Sequence, residues 1–201
     1  MINLSPSASA DIAWFKQCLG NKTLVESLKN IKLVISDVDG TLTDASIYVD
    51  ATGEGGRCFS IQDGFIVKHA MQQGLAISFM SGKSNVSTLE RAKALGIPPE
   101  MCAVGLDSKP AAVQKIQQLC KVTPAQTLMF GDDYLDADVK RHDVIGLYAC
   151  PANTIFYLQP LADLMVPRCG GDGALRLLVD LMLFVQGKHF AQDLIDRCLN
   201  I

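Results

Sequence analysis

The chain has no run of basic residues. Its 201 residues carry a formal charge of only -3, and 19% of them are charged, below the usual quarter of a globular protein. With no basic stripe, there is no electrostatic footprint for nucleic acid. Cysteines paired at metal-ligand spacing are also missing. The seven present, Cys18, Cys58, Cys102, Cys120, Cys150, Cys169 and Cys198, are odd in number and contain no Cys-x-x-Cys. They read as reduced thiols of a cytoplasmic protein. Met1 to Ala10 has no basic residue and no long apolar stretch follows, so no secretory leader is expected. The most apolar segment, Ala174 to Val185, is too short for a bilayer and contains Arg176 and Asp180. No membrane partner is expected.

What is present is an alternation of apolar runs and helical patterns. Ile31–Ile35, Leu75–Met80, Cys102–Val104, Leu128–Phe130 and Ile145–Ala149 are short apolar runs, as expected of strands buried on both faces. Leu164–Val166 is a sixth candidate. Helical stretches lie between them, so the pattern predicts an α/β domain with a doubly wound parallel sheet. One element breaks the alternation. Ile47–Val49 and Cys58–Ile61 read as two strands around the turn-rich segment 50–56, a β-hairpin flap spanning 45–61. The expected organisation is an N-terminal helical segment over 1–30, a main domain over 31–190 and a tail over 191–201. Residues 11–30 read as a helix that Asp11 could cap, interrupted at Gly20-Asn21. The helix over 174–185 is apolar almost all round, which calls for burial by the chain itself or by another subunit.

Asp37-Val38-Asp39-Gly40-Thr41 follows the first run. Two carboxylates two residues apart at a strand end can face one site if the chain leaves the pleat there. One can attack as a nucleophile while the other moves a proton. Together they can hold a hard cation such as Mg²⁺. Ligands of open α/β sheets bind beyond the carboxyl ends of the strands, and other polar residues fall there. Ser81 ends the second run, Lys109 opens a helix after the third, and Gly131-Asp132-Asp133-Tyr134-Leu135-Asp136 ends the fourth. Bland alternatives stand beside these roles: Ser81 could cap the next helix, and Asp136 could be an ordinary helix carboxylate. A lysine in the first turn of a helix opposes its dipole, which favours a function for Lys109.

This set, in this order, resembles the four motifs of the haloacid dehalogenase superfamily. With the hairpin, Asp63-Gly64 and the Gly170-Gly171-x-Gly173-Ala174-x-Arg176 segment, it is similar to the 3-deoxy-D-manno-octulosonate 8-phosphate phosphatase family over about residues 30–190. The phosphatase-like domain of some acylneuraminate cytidylyltransferases is similar too. The resemblance implies a fold with no separate cap domain and a homotetramer in which hairpins assemble centrally. A neighbour's tail would then lie near each site. It implies hydrolysis through an aspartyl phosphate on Asp37, with Asp39 as acid and base and with Ser81 and Lys109 on the phosphoryl group. It implies Mg²⁺ on Asp37, the Asp39 carbonyl and Asp132, with Asp133 and Asp136 behind them. Substrate contacts would come from Ser60, Gln62, Asp63, Gly64, Lys68, Lys83, Arg91 and Lys109.

Three positions depart from that pattern. Gln62, Lys83 and Asp172 stand where arginine is usual, and lysine does not replace arginine at a bidentate site. The expectation is weaker binding of an anionic sugar acid. The small phosphorylated substrate could then be the octulosonate 8-phosphate or another phosphomonoester, such as an acylneuraminate 9-phosphate. A non-catalytic oligomerisation scaffold is the remaining alternative, and the intact acidic set speaks against it.

Overall fold

The structure is a computed structural model, and it describes residues 5–51 and 53–200. Residues 1–4, at the head of the expected N-terminal segment, and residue 201, at the end of the expected tail, lie outside it.

Two helices open the chain, α1 (Pro6–Gly20) and α2 (Lys22–Asn30). Asn21 separates them because its side chain accepts from the Leu24 amide at 3.1 Å and caps α2. Ser5, not Asp11, caps α1, with Pro6 suited to the first turn. Asp11 instead pairs with Arg168 at 2.5 Å. β1 (Leu33–Asp37) is buried at every residue. The hairpin follows: β2 (Val49–Asp50) pairs antiparallel with β3 (Gly53–Glu54). This corrects the expected second strand. Cys58–Ser60 form no strand, and Ile61 opens α3 (Ile61–Gln72) with Ser60 at its N-cap position. The two strands pair earlier than the alternation suggested.

Then come β4 (Ala76–Ser81), α4 (Val86–Leu95), β5 (Cys102–Val104), α5 (Lys109–Cys120), β6 (Thr127–Phe130), α6 (Tyr134–Arg141), β7 (Leu147–Cys150), β8 (Leu164–Met165), α7 (Ala174–Val185) and α8 (Gln192–Leu199). Six strands make one parallel sheet in the order β5-β4-β1-β6-β7-β8. The chain winds from β1 to one side, then crosses to the other. The switch point therefore lies between β1 and β6, where such sheets bind ligands.

The apolar helix α7 finds its burial inside the chain. It packs on α1, α2 and α3. Phe15 meets Phe184 edge to face at 5.8 Å, and the Gln186 side chain donates to the carbonyls of Leu28 and Ile31 at 3.0 Å. Of the two environments the sequence allowed, the first holds. The hairpin differs: Tyr48 is 63% and Val49 68% exposed. Among the described residues no helix is long and apolar enough to cross a membrane.

Candidate active site

Strand register brings the acidic residues together. Asp37 lies level with Met80, so Ser81 stands one residue further along the neighbouring strand. Ser36 lies level with Phe130, so Asp132 falls just past the other neighbour. The Asp-x-Asp segment then leaves the pleat in a turn. The Val38 carbonyl accepts from the amides of Leu42 at 3.0 Å and Thr43 at 3.1 Å. Gly40 sits in this turn at φ +94, and a Cβ there would run into the Asp132 carboxylate. Thr41 Oγ1 donates to Asp132 Oδ1 at 2.8 Å. Asn153 locks the turn from outside, donating to the Gly40 carbonyl at 2.8 Å and accepting from the Gly170 amide at 2.7 Å.

Lys109 begins α5 and is buried. Its Nζ donates at 2.5 Å to both Asp37 Oδ1 and Asp136 Oδ1. Asp136 is the third residue of α6, where Asp133 and Asp136 form a reciprocal capping box. Both readings of Asp136 therefore hold: it is a helix carboxylate and the clamp on Lys109. Ser81 does not cap the next helix, because Asn85 does. Its hydroxyl lies 3.3 Å from Asp39 Oδ2.

The charges explain the titration. Burial, then Asp136, pushes the Asp37 carboxyl well above the usual range, and Lys109 opposes them. Burial likewise raises Asp136 against the same lysine, and pushes Asp132 up to about 6. For Lys109 burial pulls downward, but Asp136 and Asp37 outweigh it and hold the ammonium charged. One ammonium thus sits between two carboxylates, with Asp132 a third acidic group close by. Asp37, Asp132 and Asp136 can each offer an oxygen within 4.8 Å of the others, a set able to hold a metal ion. An all-oxygen donor set with excess negative charge suits a hard divalent cation.

Asp37, Lys109 and Asp136 face a cleft of about 450 Å³. Asp37, Asp39, Ser81, Lys83, Lys109, Asp133 and Asp136 line it, with Ala45, Ile47, Leu106 and Leu135 as apolar walls. Of the residues expected to touch substrate, Lys83 and Lys109 are here. The others lie elsewhere in the chain. Ser60, Asp63, Gly64 and Arg91 close a separate crevice. There the Arg91 guanidinium donates to the Ser60 carbonyl at 3.0 Å and fills the space a Cβ on Gly64 would need. Asp63 accepts from the Arg176 amide at 2.7 Å, and burial pushes its carboxyl up to about 6. Gln62 and Lys68 are exposed. Gln62 accepts from Arg168 at 3.2 Å, so a cation stands beside the position that lost one.

Three residues escaped the sequence reading: Asn153, Thr41 as the partner of Asp132, and Arg57. The last reaches Asp39 from the far end of the hairpin. Its only local mark is the Gly55-Gly56 pair before it.

A strand-end carboxylate, a buried lysine and a cation-ready acidic set are the equipment of phosphoryl transfer. No family model matches the chain. It is 32% identical over 168 residues to the 3-deoxy-D-manno-octulosonate 8-phosphate phosphatase of Haemophilus influenzae, covering 84% of this chain and 91% of that one. A solved cobalt-bound form of a Haemophilus influenzae phosphatase of this name superposes with a TM-score of 0.78 at 32% identity, over 84% and 98% of the two chains. The Moraxella catarrhalis enzyme, solved with magnesium, phosphate and the sugar acid, gives 0.79 at 27% identity, over 88% and 98%. The chain belongs to the 3-deoxy-D-manno-octulosonate 8-phosphate phosphatase family of the haloacid dehalogenase superfamily, and it is a phosphatase.

Proposed function

We propose that the protein is a Mg²⁺-dependent phosphomonoesterase that works through an aspartyl phosphate on a sugar acid phosphate. 3-Deoxy-D-manno-octulosonate 8-phosphate is the first candidate. The observation that carries this reading is the buried Asp37–Lys109–Asp136 set, bonded at 2.5 Å and open to the cleft.

Lys109 engages Asp37 through Oδ1, which leaves Oδ2 to attack phosphorus. The bond to the leaving oxygen breaks, its electron pair stays on that oxygen, and the Asp39 carboxyl supplies the proton. Water then attacks phosphorus, gives its proton to the Asp39 carboxylate and releases Asp37. Ser81 donates to a phosphoryl oxygen, and Lys109 offsets the charge of nucleophile and phosphate. The carboxylates of Asp37 and Asp132 and the main-chain carbonyl of Asp39 would hold Mg²⁺, leaving Asp136 to the lysine. When bound, the metal neutralises charge on the phosphoryl group.

Lys83 at the rim is the cation for the sugar acid carboxylate. We assign the exposed Gln62 and Lys68 to a neighbour's cleft in a homotetramer built on the exposed hairpin, with Ser60, Asp63, Gly64 and Arg91 shaping the crevice behind them. Seven free cysteines fit a reducing cytoplasm.

Phosphate release from a panel of sugar phosphates tests the activity. Hydrolysis of the octulosonate 8-phosphate should exceed that of acylneuraminate 9-phosphate. Chelation should lower the rate by ~100-fold or more, and added Mg²⁺ should restore it. Full turnover without metal would defeat the assignment. Light scattering tests the assembly: the mass should be about four times the 21.7 kDa chain, and a monomer at micromolar concentration overturns it.

A further inference from the structure

We propose that Arg57 is a positioning residue for Asp39, delivered to the active site by the hairpin. Arg57 Nε donates to Asp39 Oδ1 at 2.5 Å, and its side chain is only 1% exposed. A guanidinium is costly to bury unless a charged partner meets it with good geometry. Asp39, the carboxylate proposed to move the proton, is such a partner.

The placement follows from the chain. Ala45 and Ile47 on the outgoing arm form one wall of the cleft, and Arg57 on the return arm lines it as well. The Gly55 amide closes the loop on the Tyr48 carbonyl at 2.6 Å. Arg57 follows two residues later, so the hairpin's closure sets where its side chain enters.

The two oxygens of Asp39 are held unequally. Oδ1 carries the short charge-assisted bond from Arg57, whereas Oδ2, among the described residues, has the 3.3 Å contact with Ser81 alone. A carboxylate fixed through one oxygen keeps one rotamer and frees the other oxygen for chemistry. Oδ2 is therefore the atom that exchanges the proton, and Arg57 aims it at the leaving oxygen. Misplacing such a group by about 1 Å can cost ~100-fold in rate.

The inference rests on the reading that Asp39 is the acid, and the test separates the two. The comparison is kcat/KM on the octulosonate 8-phosphate and on p-nitrophenyl phosphate, whose leaving group needs no proton. Wild type, Arg57→Gln, Arg57→Lys and Asp39→Asn are measured as intact oligomers of equal thermal stability. Arg57→Gln should lose ~30-fold or more on the sugar phosphate and less than ~3-fold on the aryl phosphate, well within what acid catalysis supplies. The sugar phosphate loss should fall on kcat with KM little changed, and Arg57→Lys should recover most of it. Equal losses on both substrates, or a rise in KM alone, would reassign Arg57 to phosphate binding and overturn the proposal. If Asp39→Asn shows the substrate-dependent loss but the Arg57 variants lose nothing, the positioning role fails while Asp39 keeps its own. If Asp39→Asn stays fully active, the acid assignment falls and the role of Arg57 falls with it.

Discussion

Asp37→Asn should abolish phosphate release, by ~10⁴-fold or more, while the chain stays folded. Removing a nucleophile leaves only what positioning and charge supply. The fold should tolerate the change because asparagine has the same shape and can still accept from Lys109. The ammonium keeps Asp136 at 2.5 Å as its countercharge. Burial already disfavours the charged form of Asp37, so losing that charge removes a desolvation cost as well as an ion pair. The melting temperature should move by only a few degrees. Phosphate release and a thermal melt on the same preparation decide the point. Turnover within tenfold of wild type would remove Asp37 from the mechanism.

Lys109→Met should damage both activity and stability. Methionine fills much of the same space but leaves Asp37 and Asp136 without the ammonium, with side chains 8% and 1% exposed. Breaking a buried pair from one side costs about 3–5 kcal/mol, which for a domain of this size lowers the melting temperature by roughly 10 °C. The sign of the pH dependence follows. Without the lysine, the Asp136 pKa in the fold lies still further above its unfolded value. The folded state then binds more protons, and stability rises as the pH falls. Lys109 of the wild type stays charged throughout, so the deficit should be largest near pH 8 and shrink towards pH 5. Lys109→Met with Asp136→Asn should regain part of the stability and none of the activity. A deficit independent of pH would show that lost packing, not stranded charge, is responsible.

The convergence of the acidic and polar groups on one face was legible because each group marks the end of an apolar run. Asp37, Ser81 and Asp132 need only parallel register to meet, and register follows from the runs themselves. The environment of the helix at 174–185 was not legible. Its cover comes from α1, α2 and α3, all within the first 72 residues, and no local pattern carries that pairing. The hairpin misled for a different reason. Cys58–Ile61 has strand-like residues, yet Phe59 packs on the core and Ser60 starts a helix. Tertiary packing and a helix start outweighed β propensity there. Arg57 was invisible because a single arginine after two glycines has no periodicity. Its meaning lies in a contact with Asp39, 18 positions away. The expected substrate contacts at 60–68 rested on resemblance, and within one chain they stand apart from the cleft.

Trp14 is the chain's only tryptophan, and its indole nitrogen donates to the carbonyl of Met165 on edge strand β8 at 2.6 Å. The ring is 8% exposed and meets Phe15 edge to face at 5.8 Å. Its fluorescence therefore has a single origin, the seam where the first helix lies along the border of the sheet. Emission wavelength and quencher access report that seam alone, while far-ultraviolet dichroism averages over every helix. Together the two signals separate peeling of the amino-terminal helices from collapse of the catalytic sheet, with no label attached.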